Sequence, residues 1–186
     1  ASCAGDDYIT DGGIAVGRIR DPLQPVENGG ENLEMRGFVQ FDLTNALNLP
    51  PNAIIDRVEY QPQAADSFGK DVCGADNGTP IQSATGDIQF DVTQVDTNGY
   101  APYLVFDQAA FDDFGDTKYA DFTISKNATG AWTDLGPQAV IDLQKRMAAG
   151  QNFQVGLRLS GNDFDLALYQ FHGIVFDNAT NHKLRV

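Results

Sequence analysis

The residues with the most potential for chemistry are the acids and the two histidines, His172 and His182. A nucleophilic serine needs a histidine base and an orienting acid, and the GxSxG pattern of a hydrolase nucleophile is absent from the sequence. His172 lies in the apolar stretch YQFHG, which is typical of a packed strand residue, and we expect His182 to be exposed. These observations predict a protein that is not an enzyme.

A pair of carboxylates is a second catalytic pattern, but the large number of acidic residues makes it uninformative in this chain. A glycosidase needs two opposed carboxyl groups, but a chain with 26 acidic residues offers many such pairs. The type of acid is more informative, because 22 are Asp and 4 are Glu. Asp suits turns and the oxygen ligand sets of calcium, whereas a solvated acidic surface is the alternative for most of them.

Three short stretches are the candidates for a structural Ca²⁺ site. The DxDxDG spacing of an EF-hand is absent, so the ligands would come from loops. FDDFGD is the leading candidate, GNDFD is the second, and GDDY (Asp6 and Asp7) together with DGG (Asp11) is the third. The predicted metal ligands are Asp112, Asp113, Asp116, Asn162, Asp163 and Asp165.

The net charge of −14 limits the kinds of partner. A surface this acidic repels a phosphate backbone and an anionic membrane surface. No apolar run reaches the roughly 18 residues that a membrane-spanning helix needs. We therefore expect no nucleic-acid partner and no membrane insertion.

Cysteines and glycosylation sequons predict an extracellular location. A disulfide between Cys3 and Cys73 is the simplest interpretation of the only two cysteines, with two buried free thiols as the alternative. Such a disulfide favours an oxidising compartment. Sequons, which accept glycans in secreted proteins, occur at Asn77, Asn127 and Asn178.

Sugar binding requires aromatic side chains in an accessible site. Trp132 is the lone Trp, and Tyr100 and Tyr103 lie in the short stretch GYAPY. These three residues are the candidates for ligand binding. The alternative for Trp132 is a packing role, because it precedes a predicted helix.

The elements that must position these residues are strands. Apolar and polar residues alternate in about nine segments, which is the pattern of half-buried strands. In AIIDRVEYQ, for example, Ile54, Val58 and Tyr60 share one face, and Ile55 and Glu59 lie on the other. The segments are GIAVGRIR, MRGFVQFDL, AIIDRVEYQ, DIQFDVTQV, PYLVFD, YADFTISK, NFQVGLRLS, FDLALYQFHGIVF and HKLRV. They predict an all-β, jelly-roll-like antiparallel β-sandwich.

One short amphipathic helix interrupts the strands, in GPQAVIDLQKRMAAG. Pro137 suits the first helical turn and Gly150 the C-terminal cap, which predicts a helix over about 137–149. Its apolar stripe is expected to pack on a sheet. The stripe consists of Val140, Leu143 and Met147, and the residues expected to face solvent are Asp142, Lys145 and Arg146.

Three blocks of the sequence carry a resemblance to a known family. They are RGFVQFDLTNALNLPPNAIIDRVEY, AWTDLGPQAVIDLQKRMAAGQNFQVGLRLS and the closing HKLRV. Together they resemble the DNRLRE-type extracellular β-sandwich domains over most of the chain. The resemblance implies a sandwich domain of cell-surface or secreted microbial proteins, some of which resemble carbohydrate-binding modules for alginate-like polysaccharides.

One domain over residues 1–186 without a catalytic motif favours a structural role. Residues 1–10 are expected to form an N-terminal arm, and strand edges are templates for pairing with another chain. The sequence therefore predicts a non-catalytic extracellular protein that self-associates as a homopolymer, in a filament or a surface layer. A polysaccharide-binding module of the alginate-binding type is the alternative.

Overall fold

The computed structural model describes residues 14–19, 33–43, 53–65, 82–83, 86–95, 117–161, 170–177 and 181–186. Strands provide most of the regular structure in these ranges. In chain order the elements are β1 (Ile14–Ile19), β2 (Leu33–Met35), β3 (Gly37–Phe41), β4 (Glu59–Gln61), β5 (Gln82–Ser83), β6 (Ile88–Gln94), β7 (Lys118–Ile124), β8 (Thr133–Asp134), α1 (Gly136–Ala148), β9 (Phe153–Leu159), β10 (Gln170–Phe176) and β11 (Lys183–Arg185). The predicted all-β fold with one amphipathic helix is confirmed for this part of the chain.

The strands form three sheets. The front sheet has the order β2-β1-β10-β5, the back sheet has the order β3-β9-β6-β7, and a small sheet has the order β11-β4-β8. Their pairings are antiparallel, except that β5 runs parallel to β10. The front and back sheets face each other as the two layers of a sandwich.

Aromatic rings join the two layers. Phe176 of the front sheet packs edge-on against Phe90 of the back sheet, with ring centroids 5.1 Å apart. Phe176 also contacts Phe122 of β7, at 6.0 Å. Because side chains of a strand point alternately to its two faces, the inward set of each strand forms one continuous core. This core includes Val16, Val39, Val92, Leu157 and Ile174, all buried.

The predicted strand MRGFVQFDL is divided between the two layers. Its first residue, Met35, is the last residue of β2, which pairs with β1 of the front sheet. Gly37–Phe41 form β3, which pairs with β9 of the back sheet. Arg36 lies between them. Alternation predicts the extended backbone correctly, but it does not show that the chain changes sheets, as strands do at the corners of sandwiches.

The predicted alternation in AIIDRVEYQ is only partly correct. Strand β4 begins at Glu59, so the preceding residues 53–58 lie outside the sheets. Ile54 is 87% exposed, whereas Ile55 and Glu59 are buried together with Val58 and Tyr60. The burial of Glu59 has an electrostatic reason, because Arg57 and Arg185 both form ion pairs with it.

Helix α1 begins and ends one residue earlier than predicted. Pro137 lies in its first turn, and the carboxylate of Asp134 accepts a hydrogen bond from the backbone N–H of Gly136, at 2.9 Å. Leu143 is fully buried, as the apolar stripe predicts. The prediction that Asp142 faces solvent is wrong, since this residue is only 8% exposed.

Gly37 lies at a point where the two layers approach each other closely. A β-carbon at this position would overlap the Cγ2 methyl of Ile14 and lie 3.3 Å from Cγ2 of Val16, both in the front sheet. A branched side chain cannot easily rotate its Cγ2 out of the way. The absence of a side chain at Gly37 therefore allows the sheets to pack at this distance.

We expect Gly37→Ala to lower the free energy of unfolding by about 1–3 kcal/mol, because the added methyl overpacks the core. Urea denaturation measures this loss. The same substitution in an Ile14→Ala background should cost less, because the overlapping methyl is gone. Equal losses in the two backgrounds would show that the contact with Ile14 is not the cause.

Candidate ligand-binding cleft

Most of the predicted site residues lie outside the described residues. This holds for the calcium ligands Asp112, Asp113, Asp116, Asn162, Asp163 and Asp165, for Cys3 and Cys73, for Asn77 and Asn178, and for Tyr100 and Tyr103. Their roles stay predictions. Among the described residues, no group of three or more His, Cys, Asp or Glu side chains could hold a metal ion.

Asn127 and Trp132 are the predicted site residues that the structure describes. Asn127 is exposed in a turn after β7 and has a φ of 64°, a left-handed conformation that asparagine tolerates better than most residues. Trp132 is half-buried, and the guanidinium carbon of Arg185 lies 4.4 Å from its ring centroid. A sugar that stacks on this face of Trp132 would have to displace Arg185.

The two histidines have different environments. His172 lies on β10 opposite Arg18 of β1 and is half-buried. The prediction that His182 is exposed is wrong, since only 5% of it is accessible. Its ring stacks on that of Tyr60, at 5.7 Å and an interplanar angle of 6°. Burial lowers the pKa of His182 to about 4, so this side chain is neutral at pH 7.

A polar, open cleft lies within the described part of the chain, and we call it the α1 cleft. It has a volume of about 360 Å³ and lies between helix α1 and the β6, β7 and β9 end of the back sheet. The residues that line it are Gln94, Val95, Tyr119, Asp142, Lys145, Arg146, Ala149, Gln151, Phe153 and Gln154. None of the predicted site residues belongs to it.

Asp142 is the centre of the hydrogen bonds in the α1 cleft. Its Oδ2 atom accepts from the hydroxyl of Tyr119 at 2.9 Å and from Nε2 of Gln94 at 3.1 Å. Nε2 of Gln138, one helical turn earlier, donates to both carboxylate oxygens, at 3.2 and 3.1 Å. A buried carboxylate is stable only with such partners, so the carboxylate fixes the positions of three side chains from three elements.

Local irregularity in β6 helps to bring Gln94 to this carboxylate. The pairing of β6 with β7 shifts register between Val92 and Thr93, immediately before Gln94. Irregularities of this kind change the direction in which a strand presents its side chains. The backbone N–H of Gln94 then donates to the carbonyl of Thr117, at 2.8 Å, which holds the end of β6 beside the start of β7.

Two cations of α1 line the cleft. Arg146 donates to Oε1 of Gln151 at 3.1 Å and to the carbonyl of Val95 at 3.2 Å. Lys145 is 71% exposed, and its Nζ atom lies 3.8 Å from Oδ1 of Asp142. The ammonium of Lys145 is therefore accessible to a ligand, whereas the guanidinium of Arg146 joins the end of β6 to the segment after the helix.

The lining of the cleft is rich in groups that form hydrogen bonds. Its amides, hydroxyl and cations can donate and accept hydrogen bonds, and the ring of Tyr119 stacks on Phe153 with centroids 6.4 Å apart. A nucleophile next to a histidine base, as acyl transfer requires, does not occur among the residues that line it. The sequence signal for this site was the pair Gln138 and Asp142, spaced i and i+4 on one helix face.

A second group of charges occupies the inner face of the front sheet, at the end away from Phe176. Arg18 donates to Glu34 at 2.8 Å, and Arg36 donates to the same carboxylate at 2.7 Å. Burial alone would raise the pKa of Glu34, but the hydrogen bonds and charges of Arg36 and Arg18 outweigh it and hold the pKa below its usual value. This group closes one end of the core with ion pairs.

We expect Asp142→Ala to lower the free energy of unfolding by about 2–3 kcal/mol, because it leaves the hydroxyl of Tyr119 and two amides without their acceptor. Lys145→Ala is the matched control on the same helix, and its effect should stay within roughly 0.5 kcal/mol. Urea denaturation of both variants compares them. Similar losses would mean that the carboxylate does not organise the cleft.

Comparisons with known proteins add no relative. The chain matches no family model, no curated protein and no solved structure. The resemblance to DNRLRE-type domains therefore stays a prediction from the three sequence blocks.

Proposed function

We propose that this protein is a non-catalytic structural subunit of an extracellular homopolymer, and that copies join by adding a strand beside β10, on the side opposite β1. One observation carries the proposal. On one side, all six residues of β1 pair with β10, from Ile14–Phe176 to Ile19–Phe171. On the other side, within the described part of the chain, β10 pairs only near its two ends.

Within the described residues, the pairing of β10 on this side is seen only near its two ends. Gln170 and Phe171 pair with β5, and Phe176 forms an isolated bridge with Ala64. Between them, Gly173–Val175 have no strand partner on this side among the described residues. In the proposed assembly, a strand from another copy lies along this part of β10 and extends the front sheet.

The N-terminal arm is the proposed donor of that strand. Residues 1–10 lie outside the described residues, and the sequence predicts an arm ahead of β1. Strand addition uses backbone hydrogen bonds for affinity and alternate side chains for specificity.

We expect deletion of residues 1–10 to abolish polymers while the far-UV circular dichroism of the subunit stays the same. Sedimentation velocity and negative-stain electron microscopy measure the assembly. A synthetic peptide of residues 1–10 should inhibit growth of the full-length chain by occupying that side of β10. The same peptide with N-methylated backbone amides is the matched control and should not inhibit, because it cannot donate the ladder hydrogen bonds. Polymers from the deleted chain, or a full-length chain that stays monomeric, would contradict the proposal.

Polysaccharide binding is the second candidate function, and the α1 cleft favours it. The cleft combines amide groups, a tyrosine hydroxyl and the exposed ammonium of Lys145 in a chain whose net charge is −14. Amides and hydroxyls suit the hydroxyl groups of a sugar, and the ammonium suits the carboxylate of an acidic one. This arrangement supports a ligand of the alginate type.

For this second candidate, we expect Lys145→Ala to weaken binding of alginate oligosaccharides by about tenfold, which corresponds to roughly 1.4 kcal/mol. Isothermal titration calorimetry at low salt measures the affinity. Lys126→Ala is the control, since Lys126 is exposed but lies outside the cleft. Equal affinities of the two variants, or no binding by the unmodified protein, would exclude the α1 cleft as an acidic-sugar site.

The extracellular location, the Cys3–Cys73 disulfide and a structural Ca²⁺ ion belong to the same proposal. Their support remains the sequence pattern, because the residues concerned lie outside the described ranges. The described helix is not long and apolar enough to cross a membrane.

A further inference from the structure

Strand β11 is a short edge element that a single buried residue anchors. Its three residues pair with β4, Lys183 with Gln61, Leu184 with Tyr60 and Arg185 with Glu59. Lys183 and Arg185 are exposed and Leu184 is half-buried. His182, immediately before the strand, is buried. His182 is therefore the most deeply buried residue of this segment, and Leu184 packs against the core beside it.

His182 is surrounded by aromatic rings. It stacks on Tyr60 and lies 5.9 Å from Phe176, measured between ring centroids. Tyr60 and Phe176 are both fully buried. A charged imidazolium here would be separated from water, which is unfavourable without a charged partner.

The hydrogen bonds of His182 fit its neutral form. Its Nε2 atom lies 3.2 Å from the carbonyl oxygen of Asp177. A carbonyl can only accept, so Nε2 carries the hydrogen. Nδ1, 2.6 Å from the hydroxyl of Tyr60, is then the acceptor, and the tyrosine donates. Protonation of Nδ1 would place its hydrogen against the hydrogen of the Tyr60 hydroxyl. The hydrogen bond between them would then be lost unless the buried hydroxyl turned away.

The charged groups near His182 do not reverse this preference. Asp177 offers an attractive carboxylate, which accepts a hydrogen bond from Asn181 at 2.5 Å. Glu59 of β4 is already paired with Arg57 and with Arg185 of β11, and Phe176 of β10 carries no charge. Burial is the largest influence and outweighs Asp177, so the pKa of His182 falls to about 4.

We propose that His182 is an acid-sensitive latch, whose protonation releases residues 181–186 from β4 while the front and back sheets stay folded. The edge of β4 at Glu59–Gln61 then becomes open to another strand. The contact of Phe176 with Phe90 joins the two large sheets directly. We expect this contact to persist when β11 is released, although Phe176 then loses its contact with His182.

The sign of the pH dependence follows from the two protonation states. An unfolded histidine has a pKa near 6.5, above the value of about 4 in the folded protein. The latch is therefore fully closed above the unfolded pKa and weakens as the pH falls from about 6.5 towards 4. The carboxylates of Glu34 and Asp91, whose pKa values are lowered by their cationic partners, remain ionised over most of this range.

Hydrogen exchange combined with a histidine titration tests the latch. Between pH 7 and pH 3.5, we expect the β11 amides that donate to β4 to lose protection by at least tenfold, beyond the intrinsic effect of pH. The imidazole proton signals of His182 should titrate over the same range. The amides of β6 and β9 should keep their protection. The single Trp provides a second signal, because release of Arg185 from Trp132 should change its fluorescence.

His182→Gln is the decisive variant, since glutamine can accept from Tyr60 and donate to Asp177 but does not gain a proton. Its β11 amides should stay protected at pH 4, whereas the control His172→Gln should behave like the unmodified protein. If His182→Gln does not fold, the unmodified protein still tests the proposal, because loss of β11 protection must follow the titration of His182. Protection of β11 that persists below the His182 midpoint, or that is lost together with β6 and β9, would overturn the proposal.

Discussion

The contact of Phe176 with Phe90 is the interaction on which the rest of the structure depends. It joins the front and back sheets, and Phe176 also contacts Phe122 and His182. Aromatic side chains bury a large area and prefer such edge-on arrangements. The approach of the layers that these rings set is also what requires a glycine at position 37, where any side chain would meet Ile14.

Tyr60 extends this core into the small sheet. Its ring contacts Phe41 and Phe122 of the back sheet and stacks on His182. Burial raises the pKa of Tyr60 well above its usual value, so its hydroxyl stays a donor to His182. The ring of Tyr60 thus packs the small sheet against the back sheet, while its hydroxyl bonds to His182 beside β11 of the same small sheet.

The α1 cleft shows how a buried charge can organise a site. Helix α1 is seated by Leu143 and Ala139, both fully buried, and this position places the neighbouring Asp142 against the ends of β6 and β7. Once buried, the carboxylate needs donors, and Tyr119, Gln94 and Gln138 provide them. The polar lining of the cleft therefore follows from the packing of an apolar stripe one residue away.

The sequence by itself determined the features that depend on neighbouring residues. Alternation predicts extended strands such as β6 and β9, because side-chain direction along a strand is local, and Pro137 with Gly150 predicts the helix to within one residue. Only the tertiary structure decided which polar residues are buried. His182 meets Tyr60, 122 positions away, and Asp142 meets Gln94, 48 positions away. No local pattern carries the location of such partners, so both residues looked like surface residues until the sheets were brought together.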